Sequence, residues 1–155
     1  MHMGGDRVSA LIGAALVEDA LVESIKAFLV YDEPKAALFY DQGAPFGTFS
    51  NRIVAARAMG LLTEREQQDL DLIRDLRNQF AHALQPIGFG DEGIQMVCDK
   101  LADYEYPDMP KGREVSSHRL KYEMACCGIW VLVMQRGCAL RTKKIKKLEA
   151  SLRLV

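Results

Sequence analysis

The amino-acid sequence predicts an all-α protein, a single-domain helical bundle of five to seven helices. Apolar residues recur at three- and four-residue intervals along several segments, as they do on the buried stripe of a helix. No segment alternates apolar and polar residues over a length that would indicate a strand. The chain has 155 residues, of which 49% are hydrophobic and 26% charged, and this fits one domain with its own core.

The segment from Thr63 to Leu84 is predicted to be the central helix. Thr63 and Glu66 have the spacing of a capping box, in which each side chain binds a free backbone N–H of the first turn. A buried stripe is expected to follow at Leu70, Ile73, Leu76, Phe80 and Leu84.

A polar line is predicted on another face of the same helix. Its members are three or four residues apart and therefore stack along the helix: Asp71, Arg74, Asn78 and His82. Arg77 lies close to this line. Asn78 is a weak helix former because its amide competes with the backbone for hydrogen bonds, so its place inside the helix needs a reason.

The other helices are predicted in order along the chain. The first runs from about residue 6 to 31, with Asp6 or Ser9 as its cap, and a short helix covers 34–40. Thr48 or Ser50 caps a helix through about Met59, which Gly60 ends. A short helix starts at Asp91 and reaches about residue 102, residues 104–112 form an exposed connection, and a final helix runs from about residue 115 into the C-terminus.

Composition narrows the class of protein. The net charge of −1 argues against a protein that coats nucleic acid over its whole surface. The four cysteines show no C-x-x-C spacing, so we expect a reducing, cytoplasmic compartment. The sequence has no His-x3-His pair, Cys/His cluster, Asp-rich loop or phosphate-binding glycine pattern, so we expect no metal or cofactor. The apolar run 129–134 is too short to span a bilayer, so no membrane association is expected. In and just before this apolar run, the sequence predicts four core residues: Cys126, Cys127, Trp130 and Met134.

Basic residues are concentrated in the last fifteen positions. Residues 141–155 hold six cations and one acid, so their charge is +6 − 1 = +5, and the rest of the chain is −6. This basic C-terminal helix or tail has either a solvated face or a binding surface for nucleic-acid phosphate. Its candidate phosphate ligands are Arg141, Lys143, Lys144, Lys146 and Lys147, and Arg74 on the central helix is a further one.

Two segments resemble the mannitol operon repressor family of bacterial regulators. The first is GAPFGTFSNRI at 43–53, followed by AMGLL at 58–62, and the second runs from Asp69 through Arg77-Asn78 to His82. The resemblance implies an all-helical bundle related to the HEPN superfamily (higher eukaryotes and prokaryotes nucleotide-binding). In catalytic HEPN proteins an Arg-x4-His pattern forms a metal-independent ribonuclease site where two protomers meet. Carried onto this chain, the pattern makes Arg77, Asn78 and His82 the candidate catalytic residues and implies a homodimer.

Three functions remain open at this stage. The first is a regulator of gene expression of the mannitol-repressor kind, which would act through a DNA-binding partner protein or nucleic-acid contacts, since no helix-turn-helix is evident. The second is a metal-independent HEPN-type endoribonuclease acting on RNA. The third is a non-catalytic dimeric scaffold.

A purely structural role for the motif makes different predictions. Arg77 would then pair with an acid such as Glu66 or Asp71. His82 would bind backbone carbonyls at the C-terminal end of the helix.

Overall fold

The computed structural model describes residues 3–29, 35–104 and 117–152, with side chains for 5–29, 37–104 and 117–143. These residues form six α-helices and no strand, which confirms the predicted all-α bundle. The helices are α1 (Met3–Phe28), α2 (Lys35–Phe39), α3 (Phe49–Ala58), α4 (Glu64–His82), α5 (Glu92–Cys98) and α6 (His118–Leu152).

Helix α4 lies at the centre of the bundle. Four of its predicted stripe residues are fully buried: Leu70, Ile73, Leu76 and Phe80. The capping box is confirmed, because the Thr63 hydroxyl accepts from the Glu66 N–H and the Glu66 carboxylate accepts from the Thr63 N–H at 2.7 Å. The prediction for Leu84 is wrong. The chain turns into extended backbone at Ala83, so Leu84 lies beyond the helix and is fully exposed.

Helices α1 and α6 run parallel and close together along the bundle. The Tyr122 hydroxyl donates to the Ala10 carbonyl at 2.7 Å, and the Ser24 hydroxyl donates to the Val133 carbonyl at 2.9 Å. Gly13 permits this close approach, since a Cβ there would stand 3.0 Å from the sulfur of Cys126. The first and last helices are therefore joined by buried hydrogen bonds and close packing.

The predicted caps are right for α3 and wrong for α1. The Thr48 hydroxyl accepts from the Asn51 N–H, and Gly60 adopts a φ of +74° just beyond the end of α3. Helix α1 already begins at Met3, so Asp6 and Ser9 lie inside it. Their side chains bind other parts of the chain instead. Asp6 accepts from the N–H of Phe89, before α5, at 3.1 Å, and Ser9 donates to Glu123 of α6 at 2.9 Å.

The later part of the chain differs from prediction in three ways. Helix α5 ends at Cys98, short of residue 102. Tyr104 is half-buried because its hydroxyl donates to the fully buried Asp69 at 2.7 Å, and the remainder of the predicted connection lies outside the described residues. On α6, Cys126 is buried as expected, but Cys127 is exposed and Trp130 is 36% exposed.

Helix α6 is unusually apolar. Its segment His118–Lys143 is long and apolar enough to cross a membrane by length and composition, with 33% of the apolar window buried inside the bundle. The same segment carries Arg136, which is joined to Glu66 of α4. One helix of this kind is weak evidence for a membrane, because core helices of soluble proteins pass the same test.

Candidate functional site

The candidate site lies on the last two turns of α4. Arg77 and Asn78 are half-buried and His82 is exposed. The Arg77 Nη1 donates to the Asn78 Oδ1 at 2.9 Å. Asn78 therefore orients the guanidinium, and in the described part of the chain no hydrogen bond joins it to the His82 ring. The hydrogen bond from Arg77 therefore explains why an asparagine is placed inside this helix.

Arg77 has neither of the acidic partners that a structural role predicts. The Asp71 carboxylate pairs with Arg74 at 2.9 Å. The Glu66 carboxylate, in the first turn of α4, receives two bonds from Arg136, at 2.6 and 2.8 Å. Within the ranges that the structure describes, Arg77 makes no ion pair, so its charge is available to a ligand.

The Glu66–Arg136 contact explains why this carboxylate is unavailable. Burial raises the pKa of Glu66, but the hydrogen bonds from Arg136 and from the Thr63 N–H outweigh burial and hold the pKa below its usual value. The carboxylate is therefore ionised at neutral pH and accepts from the two terminal nitrogens, Nη1 and Nη2, of one guanidinium.

His82 also lacks the role that a structural reading assigns to it. The carbonyls at the end of α4 are bound by Arg7 of α1, whose Nε donates to Phe80 at 2.7 Å and whose Nη2 donates to Ala83 at 2.8 Å. A cation at this end of a helix is also favoured by the helix dipole. Among the described residues His82 has no hydrogen-bond partner, and its ring faces solvent.

Arg7 is a site-positioning residue that the sequence did not reveal. It lies 73 and 76 residues from the carbonyls that it binds. No local pattern marks such a contact, because an arginine in the first turns of a helix is common. Only the packing of α1 against α4 brings it to the end of the candidate site.

Arg74 is engaged by its neighbours. Its guanidinium contacts Asp71 at 2.9 Å, Asp75 at 3.1 Å and the Ser50 hydroxyl of α3 at 3.1 Å. Two carboxylates offset its charge, so a phosphate would have to compete with both. Arg77 is thus a freer cation than Arg74 on this helix.

The helix geometry separates Arg77 from His82. Five residues at about 100° each place their side chains about 140° apart around the axis, whereas Asn78 and His82 differ by only about 40°. One copy of α4 therefore directs its arginine and its imidazole to different sides. A site that uses both on one phosphate needs a residue from a second chain or a ligand that wraps around the helix end.

The basic residues near the C-terminus are only partly described. Arg141 is half exposed and pairs with Glu23 of α1 at 2.8 Å, while Lys143 is exposed. The backbone of α6 is helical as far as Leu152, but the side chains of Lys144, Lys146 and Lys147 lie outside the described residues. Of the predicted phosphate ligands in this region whose side chains the structure describes, Lys143 is exposed and makes no ion pair with another described residue.

Other polar residues do not join the site. His118, the first residue of α6, lies 3.1 Å from the carboxylate of Asp99, the residue that follows α5. Among nearby aromatic residues, Phe49 is buried and Phe46 packs against Phe39 with ring centres 5.3 Å apart, so both belong to the core.

No family model, curated protein or solved structure matches this chain.

Proposed function

We propose that this protein is a metal-independent endoribonuclease whose site uses Arg77, Asn78 and His82 from two copies of the chain. The observation that carries the proposal is the accessibility of the motif. The helix-end carbonyls are held by Arg7, and the nearby acids by Arg74 and Arg136, so Arg77 and His82 are left to a ligand.

The chemistry follows from the side chains. The His82 imidazole suits proton transfer near neutral pH and would accept the proton of a ribose 2′-hydroxyl. The 2′-oxygen then forms a bond to phosphorus, and the bond from phosphorus to the 5′-oxygen breaks. That oxygen takes up a proton from solvent water, which leaves a 2′,3′-cyclic phosphate and a 5′-hydroxyl.

Arg77 supplies what the transition state requires. Charge develops on the phosphorane oxygens, and a guanidinium can bind two of them at once, which an ammonium cannot do. The hydrogen bond to Asn78 fixes one edge of the guanidinium and leaves the other nitrogens for phosphate. Asn78 therefore acts as a positioning residue for Arg77.

A second chain completes the site in this proposal. The 140° between Arg77 and His82 around α4 prevents one copy from closing on a single phosphate. A homodimer with two α4 ends facing each other would place the arginine of one copy near the imidazole of its partner. Mixing an Arg77→Ala chain with a His82→Ala chain should then restore part of the activity through one intact mixed site.

The decisive experiment measures cleavage of a panel of RNAs by the purified protein in EDTA. We expect His82→Ala to lower the rate by about 10²- to 10⁴-fold, as loss of a general acid or base does. His118→Ala is the matched control, because that histidine contacts Asp99 after α5 and takes no part in the Arg77–Asn78 pair. Arg77→Lys should also fail, with its fold checked by circular dichroism.

Two results would contradict the proposal. One is a wild-type protein that cuts no RNA in the panel. The other is equal activity of wild type and His82→Ala, which would trace any cleavage to a contaminant. Products with a 3′-hydroxyl would exclude the 2′-hydroxyl mechanism even if cleavage were present.

The second candidate is a regulator that binds without cleaving, and the separation of Arg77 from His82 favours it. A single copy displays a cation and an imidazole on adjoining surfaces, and these can hold an RNA backbone or a DNA-binding partner protein without converging on one phosphate. For this function we expect RNA or partner binding that weakens in Arg77→Ala, falls with salt and leaves the RNA intact.

A further inference from the structure

The end of α4 carries a cation from α1 beside its own imidazole. Arg7 donates through Nε to the Phe80 carbonyl at 2.7 Å and through Nη2 to the Ala83 carbonyl at 2.8 Å. The Cα atoms of an α-helix lie about 2.3 Å from its axis, so a guanidinium bound to both carbonyls is within a side-chain length of the His82 backbone. Arg7 and His82 are therefore neighbours within one chain, and both are exposed.

Arg7 still has N–H groups to donate after it has bound the helix end. A guanidinium carries N–H groups on each of its nitrogens, and the bonds to the two carbonyls use only Nε and Nη2. In the described part of the chain, Nη1 has no acceptor and Arg7 forms no ion pair. The Nη1 edge is therefore open to a ligand.

The charge of Arg7 is not offset by its surroundings. The carbonyl end of a helix carries about half a negative elementary charge, against the full positive charge of the guanidinium. Asp6, the acid next to Arg7 in the sequence, is bound to other groups, because its carboxylate accepts from Arg119 at 3.3 Å and from the Phe89 N–H at 3.1 Å. The exposed end of α4 is therefore net positive beside His82, which suits an anion.

We propose that Arg7 binds, through Nη1, an RNA phosphate next to the one at which the strand is cut. This inference rests on the proposed function for the identity of the strand as RNA. Arg77 cannot supply this contact in the same copy, since it lies about 140° from His82 around α4. The chain that provides the imidazole therefore also positions the strand. The preferred substrate is an oligonucleotide with a further phosphate, and a dinucleoside monophosphate is a poor one.

The first test measures binding without cleavage. Its probe is a fluorescein-labelled 2′-O-methyl oligouridylate, whose blocked 2′-oxygen cannot attack phosphorus, and its readout is fluorescence anisotropy over a range of salt concentrations. On a single strand, each phosphate contact contributes about 0.7 to the slope of log K against log salt. Arg7→Met should lower this slope by about 0.7, which corresponds to about fivefold weaker binding at about 0.1 M salt.

Two variants separate the phosphate contact from the capping of α4. Opening of the helix end weakens binding by the same factor at every salt concentration, so the slope reports the contact alone. Arg7→Lys keeps the charge but cannot span two carbonyls, so it should bind more weakly and retain the slope. Arg57→Met is the matched control, because Arg57 is also exposed and donates to a backbone carbonyl, that of Leu62, at 3.0 Å. It should retain the slope as well.

The second test uses cleavable RNA. Arg7→Met should lower kcat/KM for an oligouridylate about fivefold more than it lowers kcat/KM for the dinucleoside monophosphate UpU, which has no neighbouring phosphate. Any effect of Arg7 on the position of His82 acts on both substrates and cancels in this ratio.

The inference is overturned if Arg7→Met has the wild-type slope, or if the wild-type protein does not bind the strand at low salt. Equal Arg7-dependent binding of a polyglutamate peptide would assign the site to acidic proteins instead. A lowered slope in a protein that cuts no RNA supports the phosphate site and rejects the nuclease. Cleavage that depends on His82, with a slope that does not depend on Arg7, rejects this inference alone.

Discussion

Replacing Arg7 with methionine tests whether α1 holds the end of the candidate site. The guanidinium donates to the carbonyls of Phe80 and Ala83, which bracket the exposed His82. Methionine keeps the helix and much of the aliphatic stem but cannot donate. We expect the last turn of α4 to open more often, while the core beneath it stays folded.

The magnitude follows from the two bonds. A hydrogen bond to a charged group contributes about 1.5–3 kcal/mol when it is shielded from water. The Phe80 bond is only partly buried and the Ala83 bond is exposed, so about 1 kcal/mol each is the better value, or about 2 kcal/mol together. A change of 2 kcal/mol in local opening corresponds to about 30-fold faster amide exchange.

Hydrogen exchange resolved by residue measures this directly. The amides of Phe80, His82 and Ala83 should exchange about 30-fold faster in Arg7→Met, and those of the buried middle of α4 should not change. Arg57→Met is the control, since Arg57 also donates to a backbone carbonyl, that of Leu62, which precedes the start of α4 and is far from His82. Unchanged exchange at the end of α4 in Arg7→Met would refute the capping role.

Three further changes should alter stability, each measured by urea unfolding. Glu66→Gln should cost about 2 kcal/mol at pH 7, because it breaks a buried pair whose arginine is 34% exposed. The pKa of Glu66 is lowered in the folded state, so this stabilisation is present above the unfolded pKa and is lost as the pH falls through the folded pKa. The free energies of unfolding of wild type and Glu66→Gln should therefore converge in acid. Gly128→Ala should cost about 1–3 kcal/mol, because its Cβ would stand 2.5 Å from the Tyr104 ring, whereas Gly93→Ala meets no atom within 4 Å and should be neutral or stabilising. Leu76→Ala should cost about 2–5 kcal/mol, as a fully buried leucine does, and a loss below 1 kcal/mol would contradict its place in the core.

Features specified within a few residues were predictable from the sequence. The Thr63 capping box and the Gly60 turn depend on side chains three or four positions apart and on one backbone angle, so the pattern alone identifies them. The buried stripe of α4 was equally readable up to Phe80. The prediction that Leu84 is buried is wrong, because its spacing continues the stripe beyond the residue where the helix ends.

Contacts between distant segments were not predictable. Helix α6 is apolar on two faces, and periodicity does not show which face packs against the core. The prediction that Cys127 and Trp130 are core residues is therefore wrong. The sequence identified Arg77 and His82 as candidates, but it did not show that Arg7 and Arg136 take over the partners that would have bound them. These assignments depend on which helices become neighbours.

The pairing of the first helix with the last has a consequence for synthesis. Residues of α1 bond to residues of α6 that lie 109 to 118 positions later, as Ser24 does to Val133 and Arg141 to Glu23. At about 5–20 residues per second, the ribosome needs roughly 5–20 s to add the hundred-odd residues between them. Throughout that interval the apolar side of α1, including the otherwise fully buried Val17 and Leu21, has no α6 to cover it. The nascent chain is therefore expected to bind a hydrophobic-segment chaperone until its final helix emerges.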